Sequence, residues 1–315
     1  MDKKYLYTLL VLIIIISAAS FLIYTNYKDY NASGWEKFFD SKYEEALSDF
    51  EKAVEKNPDD DQAYSGLGWC YNKLERYPEA IENFETALSL YPASGSALRG
   101  LGSTYYEMEE YEKAIEYYEK SLVEPKADAY EGLGWSYYRL GEYKKSTEAY
   151  EKLIDIEGET ESLVQKIGIN DYRAEQYDKA IKNFQKNIET NPENDTAYNY
   201  IGWIYYKSNN YDDAVKYFNK TISLNPKNEG AYIGLGLTYL ELRKNSESIE
   251  FLRKAIDINE ENSYNYWALA LYYFKNGNFS EAKKYINQSL AMDITVYNEN
   301  AIQLKKDIEE KLASP

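Results

Sequence analysis

The chain has 315 residues, with 53 acidic against 36 basic side chains, a formal charge of −17 and no histidine. So acidic a balance argues against general binding to nucleic acid. The lack of histidine removes the commonest general base, every Ser-His or Cys-His nucleophile pair and the commonest transition-metal ligand; with Cys70 as the lone cysteine, a zinc site from Cys and His is impossible and an intramolecular disulfide cannot form.

In chain order, Met1-Asp2-Lys3-Lys4 comes first, a short N-terminus over residues 1–4, followed by an uncharged run from Tyr5 to Tyr24. At a rise of about 1.5 Å per residue this run is about 30 Å long, the thickness of a bilayer's hydrocarbon core, and it predicts one transmembrane helix over 5–24. Lys3, Lys4 and the terminal amine precede the run and Lys28 follows it. The positive-inside tendency then places the N-terminus in the cytoplasm and the rest of the chain outside, as a single-pass membrane protein. A cleaved signal peptide, giving a secreted chain, is the alternative, because Ser17-Ala18-Ala19-Ser20 offers small residues to a peptidase. The resumption of the apolar run at Phe21-Leu22-Ile23-Tyr24 favours the anchor, and no cysteine follows to carry a lipid.

From Tyr27 onward the chain repeats about every 34 residues, with starts at Tyr27, Asp61, Gly95, Ala127, Glu161, Asp195, Glu229 and Ser263; the third repeat is two residues short near Pro125. The eighth position is Gly34, Gly68, Gly102, Gly134, Gly168, Gly202, Gly236 and Ala270, and the twentieth is Ala46, Ala80, Ala114, Ser146, Ala180, Ala214, Ser248 and Ala282. Glycine inside a helix costs about 1 kcal/mol relative to alanine, so this series implies a second helix lying close against the first. Each repeat is therefore a helical hairpin. Ala80, Phe84 and Ala87 share one face of the second helix, and Asn57-Pro58, Tyr91-Pro92, Asn191-Pro192 and Asn225-Pro226 separate repeats. In the first repeat the seventh position lacks its usual large residue and holds Ser33.

This register resembles the tetratricopeptide repeat (TPR) family over residues 27–296. The resemblance implies an all-α, right-handed α-α superhelix, a solenoid of about eight hairpins, whose first helices line a concave groove that binds proteins or peptides. Residues 297–312 are left as a C-terminal capping helix, with Ile302, Ile308 and Leu312 on its apolar stripe. TPR domains that clamp acidic chaperone tails present Asn at the ninth position of their first repeat; no repeat here has Asn there.

The ninth position instead carries Trp35, Trp69, Trp135 and Trp203, and four residues on stand Phe39, Lys73, Arg139 and Lys207. A cation is expected to stack on three of the four indoles. Gly66, Gly100, Gly132 and Gly234 at the sixth position would leave shallow hollows between the rings. Two readings stay open: the indoles pack between successive first helices as core, or they anchor an extended peptide with apolar and acidic side chains. The candidate groove residues are Trp69, Lys73, Trp135, Arg139, Trp203 and Lys207, with Tyr138 and Tyr206 at the twelfth position.

No catalytic residue, metal ligand or cofactor is expected. Paired carboxylates such as Asp59, Asp60 and Asp61 or Glu109 and Glu110 fall at turns and helix starts, where they cap backbone N–H groups. The Gly-Leu-Gly elements, as at Gly66-Leu67-Gly68, lie inside helices and lack both the third glycine of a dinucleotide loop and the Gly-Lys-Ser/Thr ending of a P-loop. Glycosylation sequons occur at Asn31, Asn194, Asn219, Asn278 and Asn287. The expected function is a membrane-anchored, non-enzymatic scaffold for a protein partner; the alternative is an envelope assembly factor that recognises a glycan or envelope polymer with the aromatic row.

Overall fold

The computed structural model describes residues 14, 15, 30–292 and 298–313. Ile14 and Ile15 are helical and exposed. The rest of the expected transmembrane segment over 5–24, and the N-terminus before it, lie outside the described residues. Among the described residues no helix is long and apolar enough to cross a membrane.

The described chain is all-helical. Helices α1 (30–39), α2 (Tyr43–Lys56), α3 (Asp61–Lys73), α4 (Tyr77–Leu90), α5 (Gly95–Glu107), α6 (Tyr111–Ser121), α7 (Ala127–Arg139) and α8 (Tyr143–Glu157) form four hairpins. Four more are built from α9 (Glu161–Arg173), α10 (Tyr177–Thr190), α11 (Asp195–Lys207), α12 (Tyr211–Leu224), α13 (Glu229–Glu241), α14 (Asn245–Ile258), α15 (Ser263–Lys275) and α16 (Phe279–Met292), followed by α17 (Asn298–Ala313). The hairpins divide into two compact units, with the boundary between Glu159 and Thr160. The junction differs from the others locally. Helix α8 runs on to Glu157 and stops at Gly158, whose φ of 88° is open to glycine, where other repeats place proline.

Within each unit a second helix packs on the first helix of its own repeat and on the first helix of the next. The first helices also touch each other, α3 with α5 and α5 with α7 in one unit, and α9, α11, α13 and α15 in succession in the other. They form the inner layer. Helix α6 has 11 residues against the usual 14 or so, which is where the third repeat loses its length.

The packing rule is a ring in two glycine sockets. Phe84 is fully buried, and a Cβ on Gly68 of its own repeat would stand 2.6 Å from the ring, while one on Gly100 of the next repeat would stand 2.2 Å away. Phe50, Tyr118 and Phe218 sit in the same way between Gly34 and Gly66, Gly102 and Gly132, and Gly202 and Gly234. The sixth-position glycines therefore open no hollows between indoles; the preceding repeat's ring fills them. Tyr200 replaces glycine at this position in the sixth repeat, and there it stacks on Phe184 at 5.0 Å instead. All eight residues at the twentieth position are fully buried, and where serine replaces alanine its hydroxyl donates to the facing glycine carbonyl, Ser146 to Gly134 at 2.7 Å and Ser248 to Gly236 at 2.8 Å.

Every hairpin turns through one left-handed residue at the fifteenth position: Ser41, Glu75, Glu109, Gly141, Glu175, Asn209, Arg243 and Gly277, with φ between 58° and 77°. Between repeats of the second unit, a carboxylate ties the junction. Asp195 accepts from Asn225 Nδ2 at 2.9 Å and Asn228 Nδ2 at 2.8 Å, and Asn228 Oδ1 in turn caps α13 by accepting from the Ala231 amide. Glu161 with Asn191 and Asn194, and Glu229 with Asn259 and Asn262, repeat the arrangement. Asn194 and Asn31 are thereby buried with their amides committed, so these two sequons offer no free nitrogen, whereas Asn219, Asn278 and Asn287 are exposed.

Ser33 at the seventh position has a local cause. Its hydroxyl donates to Asp49 at 2.6 Å, and Lys37 at 2.7 Å and Lys52 at 3.3 Å complete a polar cluster around the position where the other repeats hold leucine or isoleucine. Helix α17 packs on α16 and touches α15 through Ala301, Leu304 and Ile308. The buried stripe thus shares only Ile308 with the expected one, because Ile302 and Leu312 point to solvent at 55% and 45% exposure.

Candidate functional site

The ninth-position indoles are half-buried, which reconciles parts of both readings. Each presents an edge or face to the ring at the twenty-fourth position of its own repeat: Trp35 to Phe50 at 5.2 Å, Trp69 to Phe84 at 5.7 Å, Trp135 to Tyr150 at 6.3 Å and Trp203 to Phe218 at 5.4 Å, all near perpendicular. Edge-to-face pairs of this kind add about 0.5–1.5 kcal/mol beyond burial. One side of each indole is core, and the remainder lies on the first-helix face. Trp135 is the most open at 38% exposure.

The cation stacks do not form as expected. Arg139 lies 4.7 Å over Tyr111 of the preceding repeat and reaches Glu109 at 3.4 Å. Lys73 and Lys207 are exposed, and no cation among the described residues stacks on Trp69 or Trp203. Side chains on a helix lean toward its N-terminus, so an indole drawn down onto the core ring lies over the turn before it and away from the residue four places on. The twelfth-position rings do join the row. Tyr138 packs on Trp135 at 6.3 Å and on Tyr143 at 5.6 Å; Tyr206 packs on Trp203 at 5.6 Å, and burial pushes its phenol up to about 12. Trp69, Lys73, Trp135, Tyr138 and Arg139 belong to the first unit, and Trp203, Tyr206 and Lys207 to the second.

A polar pocket of about 330 Å³ opens on the first-helix face of the first unit, lined by Trp35, Asp61, Gln62, Ser65, Ser96 and Arg99 among others. Arg99 Nε donates to Asp128 at 2.7 Å, but its Nη1 is buried with no hydrogen-bond partner, as is the hydroxyl of Ser65, a residue only 1% exposed. A Cβ on Gly95 would stand 3.0 Å from Arg99 Nη1, so the missing side chain lets the guanidinium lie against the start of α5. Ser94, at the cap of that helix, makes no side-chain capping bond, unlike Asp60, Thr160 and Asn194 at theirs. Trp69 Nε1 donates to Ser96 at 3.2 Å, which joins the indole row to the pocket. Ser65 and Arg99 were not among the expected groove residues. They occupy the fifth position, one turn before the ninth on the same helix face, and that spacing was the signal available in the sequence.

Carboxylates behave as caps and ties. Asp60 accepts from the amides of Gln62 and Ala63 at 2.8 and 3.3 Å; burial raises its pKa and these bonds oppose the rise. Cys70 is fully buried, and burial lifts its thiol to about 12, so at neutral pH it is a packed, protonated side chain.

Stacked helical hairpins, glycine sockets and an inner first-helix face define a helical-repeat interaction protein. Family models described as tetratricopeptide repeat match residues 31–94, 73–129, 127–159, 196–228, 229–262 and 264–293, and the chain belongs to the tetratricopeptide repeat family. Among solved structures it is similar to a TPR repeat-containing protein of Cytophaga hutchinsonii, with 19% identity, a TM-score of 0.61 and coverage of 76% of this chain and 99% of that one. It is also similar to pilF of Pseudomonas aeruginosa, with 18% identity, a TM-score of 0.53 and coverage of 70% and 98%. YrrB, described as a TPR protein with an unusual peptide-binding site, matches at 22% identity and a TM-score of 0.53, over 58% of this chain and 95% of that one. At these identities the likeness is one of fold. The comparison with curated proteins yields no match.

Proposed function

We propose that this protein is a membrane-anchored, non-enzymatic scaffold that holds a protein partner by an extended segment on its first-helix face. A TPR chain is a protein-interaction scaffold by fold; the anchor, the site and the kind of ligand belong to this proposal. The observation that carries it is the polar pocket beside the indole row. Arg99 Nη1 and the Ser65 hydroxyl are buried without partners, and an unsatisfied buried polar group costs about 1–3 kcal/mol. A bound peptide supplies what they lack, since its carbonyls accept from these donors, its amides donate to Asp61 and Gln62, and an apolar side chain covers Trp35 or Trp69. Within the first unit the candidate residues Trp135 and Tyr138 extend the same use, with Lys73 and Arg139 at its edge; within the second, Trp203, Tyr206 and Lys207 offer a row of the same kind.

The uncharged run over 5–24 supports a signal anchor with the repeats displayed outside the cytoplasm, and the acidic balance supports a partner other than nucleic acid. The test exchanges Trp69 and Trp203 for leucine, which keeps an apolar contact to Phe84 and Phe218 while removing the indole. Partner capture by chemical crosslinking in intact cells is expected to fall about tenfold, with helicity retained. Unchanged capture by the double variant would contradict the reading.

A further inference from the structure

One flank of each hairpin, set by the eleventh position of the first helix and the twenty-third of the second, is filled differently from repeat to repeat. In four repeats two rings pack against each other there: Tyr105 with Tyr117 at 5.4 Å and 7°, Tyr239 with Phe251 at 5.6 Å and 19° and Tyr273 with Tyr285 at 5.5 Å and 3° are stacked, and Tyr205 with Tyr217 at 5.3 Å is tilted by 36°. In the first repeat Lys37 and Asp49 pair there at 2.7 Å, and in the fifth Asn183 donates to Asp171 at 2.9 Å. In the second, Asn83 turns back to the Glu79 carbonyl at 2.8 Å.

The fourth repeat keeps the ring at the eleventh position, Tyr137, and has Ala149 at the twenty-third. A cleft of about 740 Å³ opens at that place between α7 and α8, walled by Tyr130, Leu133, Tyr137, Ala149 and Ile154. The surroundings of the absent ring are complete. Lys145 lies 5.2 Å over Tyr137 as Lys113 lies 4.9 Å over Tyr105, and Glu119 of the preceding repeat fixes the Tyr137 hydroxyl at 2.7 Å. Lys152 holds the register of Lys120, which covers Tyr117 at 5.0 Å, and of Lys254, which covers Phe251 at 5.2 Å. The cleft is larger than one ring, and Glu148, Glu151 and Asp155 at its rim add acceptors next to the two lysines, matched to the amide groups that flank a side chain on a polypeptide.

We propose that this cleft is a second docking site, which takes a tyrosine or phenylalanine side chain of a polypeptide partner between Tyr137 and Lys152. It lies on the side of α7 away from Trp135, two residues on and so about 200° around the helix, and it stands independently of the first-helix face. The chain itself gives the template: in four repeats an aromatic side chain occupies the equivalent space against the same facing ring, and in the third and seventh repeats the lysine at the register of Lys152 covers it.

Methyl NMR of the full-length protein titrated with p-cresol and with N-acetyl-Gly-Tyr-Gly-amide tests this directly. Both probes are expected to shift the methyls of Leu133, Ala149 and Ile154, with binding weakened about tenfold in Ala149→Phe, where the variant's own ring fills the cleft, and equally in Tyr137→Leu, which removes the stacking face. Ala149→Phe is also expected to raise the melting temperature, and should it fail to fold, Tyr137→Leu alone decides. Absence of localised shifts in the wild type, or equal binding by a folded variant, would overturn the site. Binding of p-cresol without binding of the tripeptide would overturn its assignment to a polypeptide side chain.

Discussion

At the residue scale, this fold turns on atoms that are absent. Gly100 has no Cβ because the Phe84 ring stands 2.2 Å from where it would be, and neither that buried ring nor the helix backbone has room to yield. Gly100→Ala is expected to cost about 1–3 kcal/mol in urea denaturation, although alanine is intrinsically the better helix former. Gly95→Ala, whose nearest neighbour is the end of a flexible arginine, is expected to cost far less. Asp49 makes a second prediction. Burial alone would raise its pKa, but hydrogen bonds from Lys37, Ser33 and Lys52 outweigh it and hold the carboxyl below its ordinary value. A depressed folded value means stability that is fully present above the unfolded pKa of about 4 and is lost as pH falls through the folded one. The midpoint of urea unfolding should therefore drop more between neutral and acidic pH in the wild type than in Asp49→Asn. Sequence alone read Ser33 as a missing large residue; its purpose needed Asp49 and Lys37 in view, since a single half-buried ion pair leaves no periodic trace.

At the scale of the element, hairpin register was legible because a glycine series and an alanine series in fixed phase admit one packing. The partner of the sixth-position glycines was not, because the ring that fills each comes from the repeat before, and a pattern read within one repeat cannot show it. The same holds for the cleft of the fourth repeat: Ala149 draws no notice until Tyr117, Tyr217, Phe251 and Tyr285 are seen packed on the facing ring at its register. The stacks on tryptophan failed for the opposite reason, since spacing along a helix was correct and side-chain direction decided. Two junction features can be tested. Asp195→Ala leaves the amides of Asn225 and Asn228 without their shared acceptor, and a loss of about 1–3 kcal/mol is expected in chemical denaturation. Arg243→Gly relieves a left-handed residue at φ 58° and, net of the entropy glycine adds to the unfolded chain, is expected to stabilise by up to about 1 kcal/mol.

For the whole molecule, the eight hairpins resolve into two compact units, and the exposed residues 156–159 between them, with Gly158 in a left-handed conformation, form the junction. Limited proteolysis is expected to nick this stretch before any turn within a hairpin; first cleavage inside either unit would contradict the division. The proposed partner is held on the first-helix face. Site-specific photocrosslinking in intact cells tests it without disturbing the core, using a photoreactive residue at exposed Lys73 or Lys207 on first helices and, for comparison, at exposed Glu116 on the second helix α6. A discrete crosslinked protein is expected from Lys73 and Lys207 and none from Glu116; the same product from Glu116, with none from the first helices, would contradict a partner on that face.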